Sequence, residues 1–507
     1  MLVHRSLGGV HGIAVAGCLL SLAAGPARSE GVPYLVKDIN PEPGVGGGPF
    51  DLTVVGNRVF FDGDDGVHGR ELWVTDGTPQ GTYMVKDINP AVDILADYPW
   101  ALTAVGDRLL FGANDGVTGR ELWISDGTSQ GTYLLKDINP TGDSDPAYIN
   151  HLGPMTMWKD MVVFAADDGV HGQELWISDG TSGGTRLVKD ILTPGPSRGS
   201  LPVWIVSMGS FILFSASGDV VGDELWRSEG TSATTVLVRD VWPGGNGLPN
   251  AITNVRGTAF FSAKDAMFNY ELWKSDGTFP GTVKVKEIHA TDGSEPAWLT
   301  AAGDLLFFTA YDSNNDIELW RSDGSESGTF RVMDINPLAS SYPEINFLMP
   351  WGEWLFFSAD DGTQGRELWA TDGSEAGAYL VKDINATGDA NPNPAIEVGG
   401  ILYFRADDGV LGGELWKTDG TEANTVLVAD INPGPGDSNA GIFLVGVKDL
   451  LIFGANDGAA HGWELWAMDV SQPVIPTTSP GGLMVLAAVV LGAGALLLRS
   501  RRHARTV

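Results

Sequence analysis

The chain has 507 residues, 43% of them apolar and 19% charged, with 68 glycines and 28 prolines, a balance that excludes a disordered or collagen-like polymer and demands frequent turns. Its formal charge of −33 excludes a phosphate-gripping nucleic-acid surface, which needs a basic face, and favours cations or basic surfaces as partners. One cysteine in the whole chain leaves no disulfide framework and no cysteine-based metal site.

Residues 1–29 carry Arg5, an apolar run from Ile13 to Ala24, and Ala27-Arg28-Ser29, whose small residues at alternate positions suit cleavage before Glu30; the segment reads as a signal peptide. Cys18 lies within it, in Val15-Ala16-Gly17-Cys18, which resembles a bacterial lipobox, although the apolar run continues past the thiol. Cleavage after Ser29 would leave a mature chain without a thiol. The signal and the C-terminal tail hold six arginines and no acid, so the ectodomain between them carries −33 − 6 = −39.

Between these ends Glu-Leu-Trp recurs nine times, with Trp at 73, 123, 176, 226, 273, 320, 369, 416 and 466, a period of 47 to 53 residues. Such a period indicates a propeller or solenoid. Each unit holds four short β-type runs. In the second unit these are residues 101–105, Leu109-Leu110-Phe111, Glu121-Leu122-Trp123 and Tyr133-Leu134-Leu135-Lys136, separated by Asp-Gly and Gly-Thr turns. Four antiparallel strands in roughly 45 residues make a propeller blade, and the 3.6-residue spacing of helical repeats is absent. The chain opens with a last strand, Tyr34-Leu35-Val36-Lys37-Asp38-Ile39, while the ninth unit lacks one. An orphan at the start and a vacancy at the end predict an all-β, nine-bladed propeller over residues 30–470, closed by its N-terminal strand; two smaller propellers are the alternative.

Residues 471–480 read as a short stiff linker, and 481–498 is 18 residues without a charge, followed by Arg499, Arg501, Arg502 and Arg505. That is the length and flank of a transmembrane helix with a basic cytoplasmic tail at 499–507. The chain is therefore expected at the cell envelope or surface, held by a single-pass anchor or processed and released.

Two resemblances follow from these motifs. The units resemble the ELWxxDGT repeat family of bacterial surface proteins over residues 33 to 470, with Glu229 in place of the turn Asp and Ser325 and Ser374 in place of the turn Thr. Val474-Ile475-Pro476-Thr477 ahead of the apolar helix and arginine cluster resembles C-terminal sorting signals of the IPTL and PEP-CTERM type, without their acidic-aromatic stretch. The first implies extracellular repeats and brings no catalytic residue; the second implies processing by a membrane sorting enzyme.

Positions recurring in every unit belong first to the blade. Leu and Trp of Glu-Leu-Trp are expected in the core between blades. The preceding Glu is expected to pair with the Lys or Arg that opens Lys-Asp-Ile, as in Glu71 with Lys86 and Glu464 with Lys37, leaving Glu318 and Glu414 to find other donors because Met333 and Ala429 break the pattern. Carboxylates doubled at Asp64-Asp65, Asp167-Asp168, Asp360-Asp361 and Asp407-Asp408 either shape an Asp-Gly turn, the simpler reading, or hold Ca2+; no cofactor is required. His68, His171 and His461 share one loop position, with no second histidine beside any of them to make a metal site. Residues that break the repeat mark function. Tyr98, Trp100, Tyr148, Trp204, Trp298 and Tyr342, in the connections between blades, are the ligand-binding candidates, either stacking on glycans or packing the connections down. The expected function is a non-enzymatic surface or matrix protein that binds a carbohydrate, protein or cation through one acidic face. The alternative is a propeller enzyme, a hydrolase or lyase acting on extracellular polysaccharide, with carboxylates drawn from Asp143, Asp145 or Glu295.

Overall fold

A computed structural model describes residues 31–471, except 91–97, 148–154, 193–198, 266–268, 290–291, 338–343 and 376. The signal peptide, nearly all of the linker, the transmembrane segment, the basic tail, Tyr148 and Tyr342 lie outside the described residues. Among the described residues no helix is long and apolar enough to cross a membrane.

The nine units fold as nine four-stranded antiparallel sheets, arranged as the blades of one β-propeller. Eight blades use consecutive strands, at 50–86, 100–136, 156–189, 203–239, 250–286, 297–331, 344–382 and 393–429. The ninth combines Leu444–Val447, Leu450–Asn456 and Trp463–Asp469 with Tyr34–Lys37 from the chain's beginning. That strand pairs antiparallel with Trp463–Asp469, placing Leu35 opposite Trp466 and Lys37 opposite Leu465. Ring closure is therefore as the phase of the repeat predicted.

Blade sequences explain their own layering. The second strand, such as Arg58–Asp64, has five consecutive buried residues, because both its faces are covered by neighbouring blades. The outer strand, such as Tyr83–Lys86, buries only its third residue and is half solvated. Each of nine apolar clusters joins two adjacent blades. One of them sets Leu72, Val74 and Val85 of blade 1 against Leu109, Phe111 and Trp123 of blade 2. The cluster of Val36, Leu465 and Ile452 with Val59, Phe61 and Trp73 joins blade 9 to blade 1, which rules out two separate smaller rings. The repeated Leu faces the following blade and the repeated Trp the preceding one, as expected for scaffold residues.

The proposed Glu-Lys pairs do not form. Strand register sets Lys86 opposite Leu72, so its side chain shares Leu72's face, toward blade 2, while Glu71 points the other way. Lys86 Nζ instead donates to the Thr132 carbonyl of the next blade at 2.7 Å. Equivalent inter-blade clamps run from Lys37 to Thr82, Lys136 to Ser182, Lys189 to Thr235, Arg239 to Thr282, Lys286 to Thr329 and Lys382 to Thr425. Met333 and Ala429 leave the junctions after blades 6 and 8 without this clamp.

The buried glutamates cap backbone instead. Glu121 accepts the N–H of Ile138 at 2.7 Å and of Asn139 at 3.2 Å, and the Ser144 hydroxyl at 2.7 Å. Glu464 does the same across the closure, taking the N–H of Ile39, Asn40 and Gly47 at 2.9, 3.1 and 2.6 Å. Glu414 is satisfied by the N–H groups of Ile431, Asn432 and Ser438, so the missing Lys costs it nothing. Each carboxylate thus ties its blade to the connection leading into the next one.

Candidate functional site

Strand direction alternates within a blade, so the loops between second and third strands share a face with the connections between blades. On that face the first strand carries a bulge. Pairing with the second strand slips after Phe50, Trp100, Val203, Asn250 and Ala297. The residue that follows each of these (Asp51, Ala101, Trp204, Ala251 or Trp298) has φ between +52° and +59°. A bulge re-aims the side chain it carries. The left-handed backbone is common to these blades, so what distinguishes them is the residue placed there.

At the mouth of the ring, where blades 9, 1 and 2 meet, this geometry opens a cavity of about 710 Å3. Its walls include Phe50, Asp51, Asp62, Arg70, Tyr98, Trp100 and Phe443. Phe50 and Phe443 meet edge to face with centroids 5.1 Å apart. Trp100 donates from its indole to the Pro146 carbonyl at 2.9 Å, and its ring lies over Gly112, where any Cβ would stand 2.2 Å from Trp100 Cε2. Glycine at 112 is thus the space that lets this wall form.

The chemistry centres on Asp62. It stands opposite the repeated Leu on the second strand, where the other blades carry Gly112, Ala165, Ser215, Ser262, Thr309, Ser358, Arg405 and Gly454. It is 2% exposed. Its Oδ2 takes both Nε of Arg70, at 2.8 Å, and Nη2, while Oδ1 is buried without a partner among the described residues. Desolvation by burial outweighs the Arg70 charge and, with nearby Asp51 adding to it, pushes the carboxyl up to about 6. Arg70 is held in turn by the Gly48 carbonyl at 3.0 Å and by the Phe50 ring, 4.6 Å from its guanidinium carbon. A protonatable carboxyl, a second carboxylate and aromatic walls therefore converge in one pocket.

Tyr98 and Trp100 are brought together here. Trp204 lines a separate cleft between blades 4 and 5, and Trp298, 44% exposed, occupies the same bulge position in blade 6. Asp51, Asp62, Arg70, Phe50 and Phe443 were not singled out by sequence, because the repeat violations sought were those in the connections. Asp62 is a violation inside a strand, visible only when the nine second strands are aligned. Asp143 and Asp145 instead hold Arg120: Asp143 accepts its backbone N–H at 2.9 Å, and Asp145 its guanidinium at 3.0 Å. Glu295 lies near Tyr270.

The doubled aspartates act in turns. Asp65 Oδ1 accepts the N–H groups of Val67 and His68, and Asp64 that of Gly66; the same pattern holds for Asp167-Asp168, Asp360-Asp361 and Asp407-Asp408. His68, His171 and His461 each meet the loop Asp beside them, which raises their pKa through that hydrogen bond. The carboxylate group among the described residues that could offer three oxygens to one ion is Asp316, Glu318 and Asp334, none of them in a doubled pair.

No family model matches the chain, and no curated protein matches it. Solved structures similar to it include puromycin hydrolase, at 14% identity and a TM-score of 0.35, covering 75% of this chain and 61% of that one, and a complexed mutant of the same enzyme at 0.36. A prolyl endopeptidase matches at 15% identity and a TM-score of 0.38, covering 71% of this chain and 52% of that one. The chain thus spans only about half to three fifths of these enzymes' length, and at such scores the likeness carries nothing about chemistry. The expectation of a non-enzymatic binder is nevertheless corrected and not carried forward. The ligand-binding candidates read from the sequence are aromatic, whereas Asp62 breaks the repeat inside a strand as a buried, protonatable carboxyl.

Proposed function

We propose that the cavity between blades 9, 1 and 2 is the active site of a hydrolase acting on extracellular polysaccharide. The observation that carries this reading is Asp62, a buried carboxyl titrating at about 6 in an aromatic-walled cavity of about 710 Å3. That volume lies within the range of roughly 300–1,000 Å3 usual for small-molecule sites. Phe50, Tyr98 and Phe443 offer apolar surface to the faces of pyranose rings, and Trp100, 6% exposed, is packed into the wall over Gly112.

Glycoside hydrolysis needs one carboxyl that is protonated near neutrality and one that is ionised. Asp62 fills the first role: its carboxyl proton passes to the glycosidic oxygen as the bond from that oxygen to the anomeric carbon breaks. Asp51 fills the second, taking a proton from the attacking water while that water's oxygen bonds to the same carbon. Arg70 is a positioning residue. Its two hydrogen bonds to Oδ2 fix the orientation of the Asp62 carboxyl. The extracellular reading is supported by the signal-like segment and the apolar C-terminal stretch in the sequence, and the resemblance to ELWxxDGT surface proteins agrees with it.

The test is release of reducing ends from a panel of neutral and acidic polysaccharides by the full chain. Native protein is expected to release them, and Asp62→Asn to be slower by roughly 100-fold or more, the range for loss of a general acid. No release from any polymer, or equal rates for the variant, would refute the proposal.

A further inference from the structure

A second cleft opens on the same face between blades 4 and 5, with a volume of about 320 Å3. It is the counterpart of the first cavity, built from equivalent positions with different chemistry. Trp204 replaces Asp51 at the bulge, Ser215 replaces Asp62 on the second strand, Asp223 replaces Arg70 at the start of the third, and Asn250 replaces Trp100. The buried acid and its arginine are gone. An indole, a carboxylate, an amide and the Tyr270 hydroxyl stand around the opening instead. Trp204 packs at its inner side on the apolar cluster of Leu213, Leu225 and Phe261, which fixes the ring in the wall. The Ser217 hydroxyl bonds Asp223 Oδ1, and the Asn250 amide nitrogen donates to the Leu248 carbonyl at 3.2 Å, so both polar groups are held in place.

We propose that this cleft is an accessory subsite that holds one neutral pyranose unit of the polymer away from the reacting bond, an inference that rests on the glycan reading of the first cavity. A flat aromatic face beside a carboxylate and an amide matches a sugar ring with a carbon–hydrogen face and hydroxyl edges. Asp223 accepts hydroxyl hydrogens and repels a uronate, which selects neutral units. The cleft lies at the low end of small-molecule sites, roughly 300 Å3, and suits a single ring.

The test is electrophoresis of the full chain through gels containing a β-glucan, a xylan, a mannan or a polyuronate, comparing native protein with Trp204→Ala, Trp204→Phe and Asp62→Asn. Native protein and Asp62→Asn should be retarded by at least one neutral polymer and not by the polyuronate. Trp204→Ala should bind that polymer roughly tenfold or more weakly, as expected for an anchoring tryptophan, and Trp204→Phe should restore most of the retardation. In Trp204→Ala, KM on the polymer should rise. Equal retardation of native and Trp204→Ala, or preference for the polyuronate, overturns the subsite. Failure of the catalytic reading looks different: no reducing ends are released, yet retardation still depends on Trp204.

Discussion

Replacing Glu464 by alanine should open the ring at one place. Its carboxylate accepts three backbone N–H groups that lie 417 to 425 residues earlier in the chain, those of Ile39, Asn40 and Gly47. Each buried donor left without an acceptor costs about 1–3 kcal/mol, so the closing segment loses about 3–6 kcal/mol after partial rescue by water. What still holds it is one four-residue strand, the apolar contacts of Val36 and Ile39, the Lys37 clamp to Thr82, and the backbone bonds of Gly48 to Trp463 and of Asp64 to Gly47. At about 1.4 kcal/mol per factor of ten, amide exchange in 34–48 and 463–469 should accelerate by roughly 100-fold or more, with the other blades little affected. Hydrogen exchange read by mass spectrometry resolves this. The same change at Glu71 serves as control, since it caps a connection whose ends are already joined through the chain. If Glu464→Ala exchanged no faster at the closure than Glu71→Ala, the reasoning would be wrong.

Restoring the missing clamp by Met333→Lys should raise the denaturation midpoint by the equivalent of about 0.5–1.5 kcal/mol, the worth of one hydrogen bond; no gain in urea unfolding would count against the clamp. Gly112→Ala should disrupt the cavity beside Asp62, because the added Cβ meets Trp100 at 2.2 Å, and is expected to abolish the proposed turnover with the propeller still folded by circular dichroism; an active variant would show that the Trp100 wall is dispensable. Stability should peak near pH 4, between the unfolded values of 3.8 for the aspartates and 4.5 for the glutamates. Burial raises Glu71, Glu121, Glu224, Glu367 and Glu464 from 4.5 to about 7, so the folded chain keeps protons that the unfolded chain has lost, and stability falls as pH rises through that window. His68, His171 and His461, raised by their Asp partners, lose their contribution in the same direction. Below pH 4 the sign reverses: the hydroxyls of Thr128, Thr181, Thr278 and Ser325 hold Asp126, Asp179, Asp276 and Asp323 below their usual range, and protonation removes that gain. Melting temperatures from pH 3 to 9 that rise monotonically would contradict this assignment.

The architecture was legible because it repeats. Nine Trp residues at one spacing report nine blades, and the orphan strand Tyr34–Lys37 reports closure, since a strand without a blade must find one. The Asp-Gly-Thr turns were equally plain. Ser325 and Ser374 replace Thr and keep the same hydroxyl bond to Asp323 and Asp372, whereas Glu229 breaks it and a 3-10 turn at Ser232–Thr234 takes over. The Glu-Lys pairing failed because opposite charges on neighbouring strands suggest a pair only when register is known; a bulge between Leu72 and Trp73 sets Lys86 on the far face. The cavity was half legible. Tyr98 and Trp100 stand out from the connections, but Asp62 differs from its eight counterparts in one side chain only, and its burial and altered titration arise from packing that no single strand contains.

The most direct test of the central claim is the pH dependence of kcat/KM on a released oligosaccharide substrate, measured for native protein and Asp62→Asn. If Asp62 delivers the proton, native activity falls about tenfold per pH unit above about 6, following the raised carboxyl. The variant loses both the rate and that limb. A variant that keeps the native rate and the native alkaline limb would show that Asp62 is a structural ion pair and that the chemistry lies elsewhere.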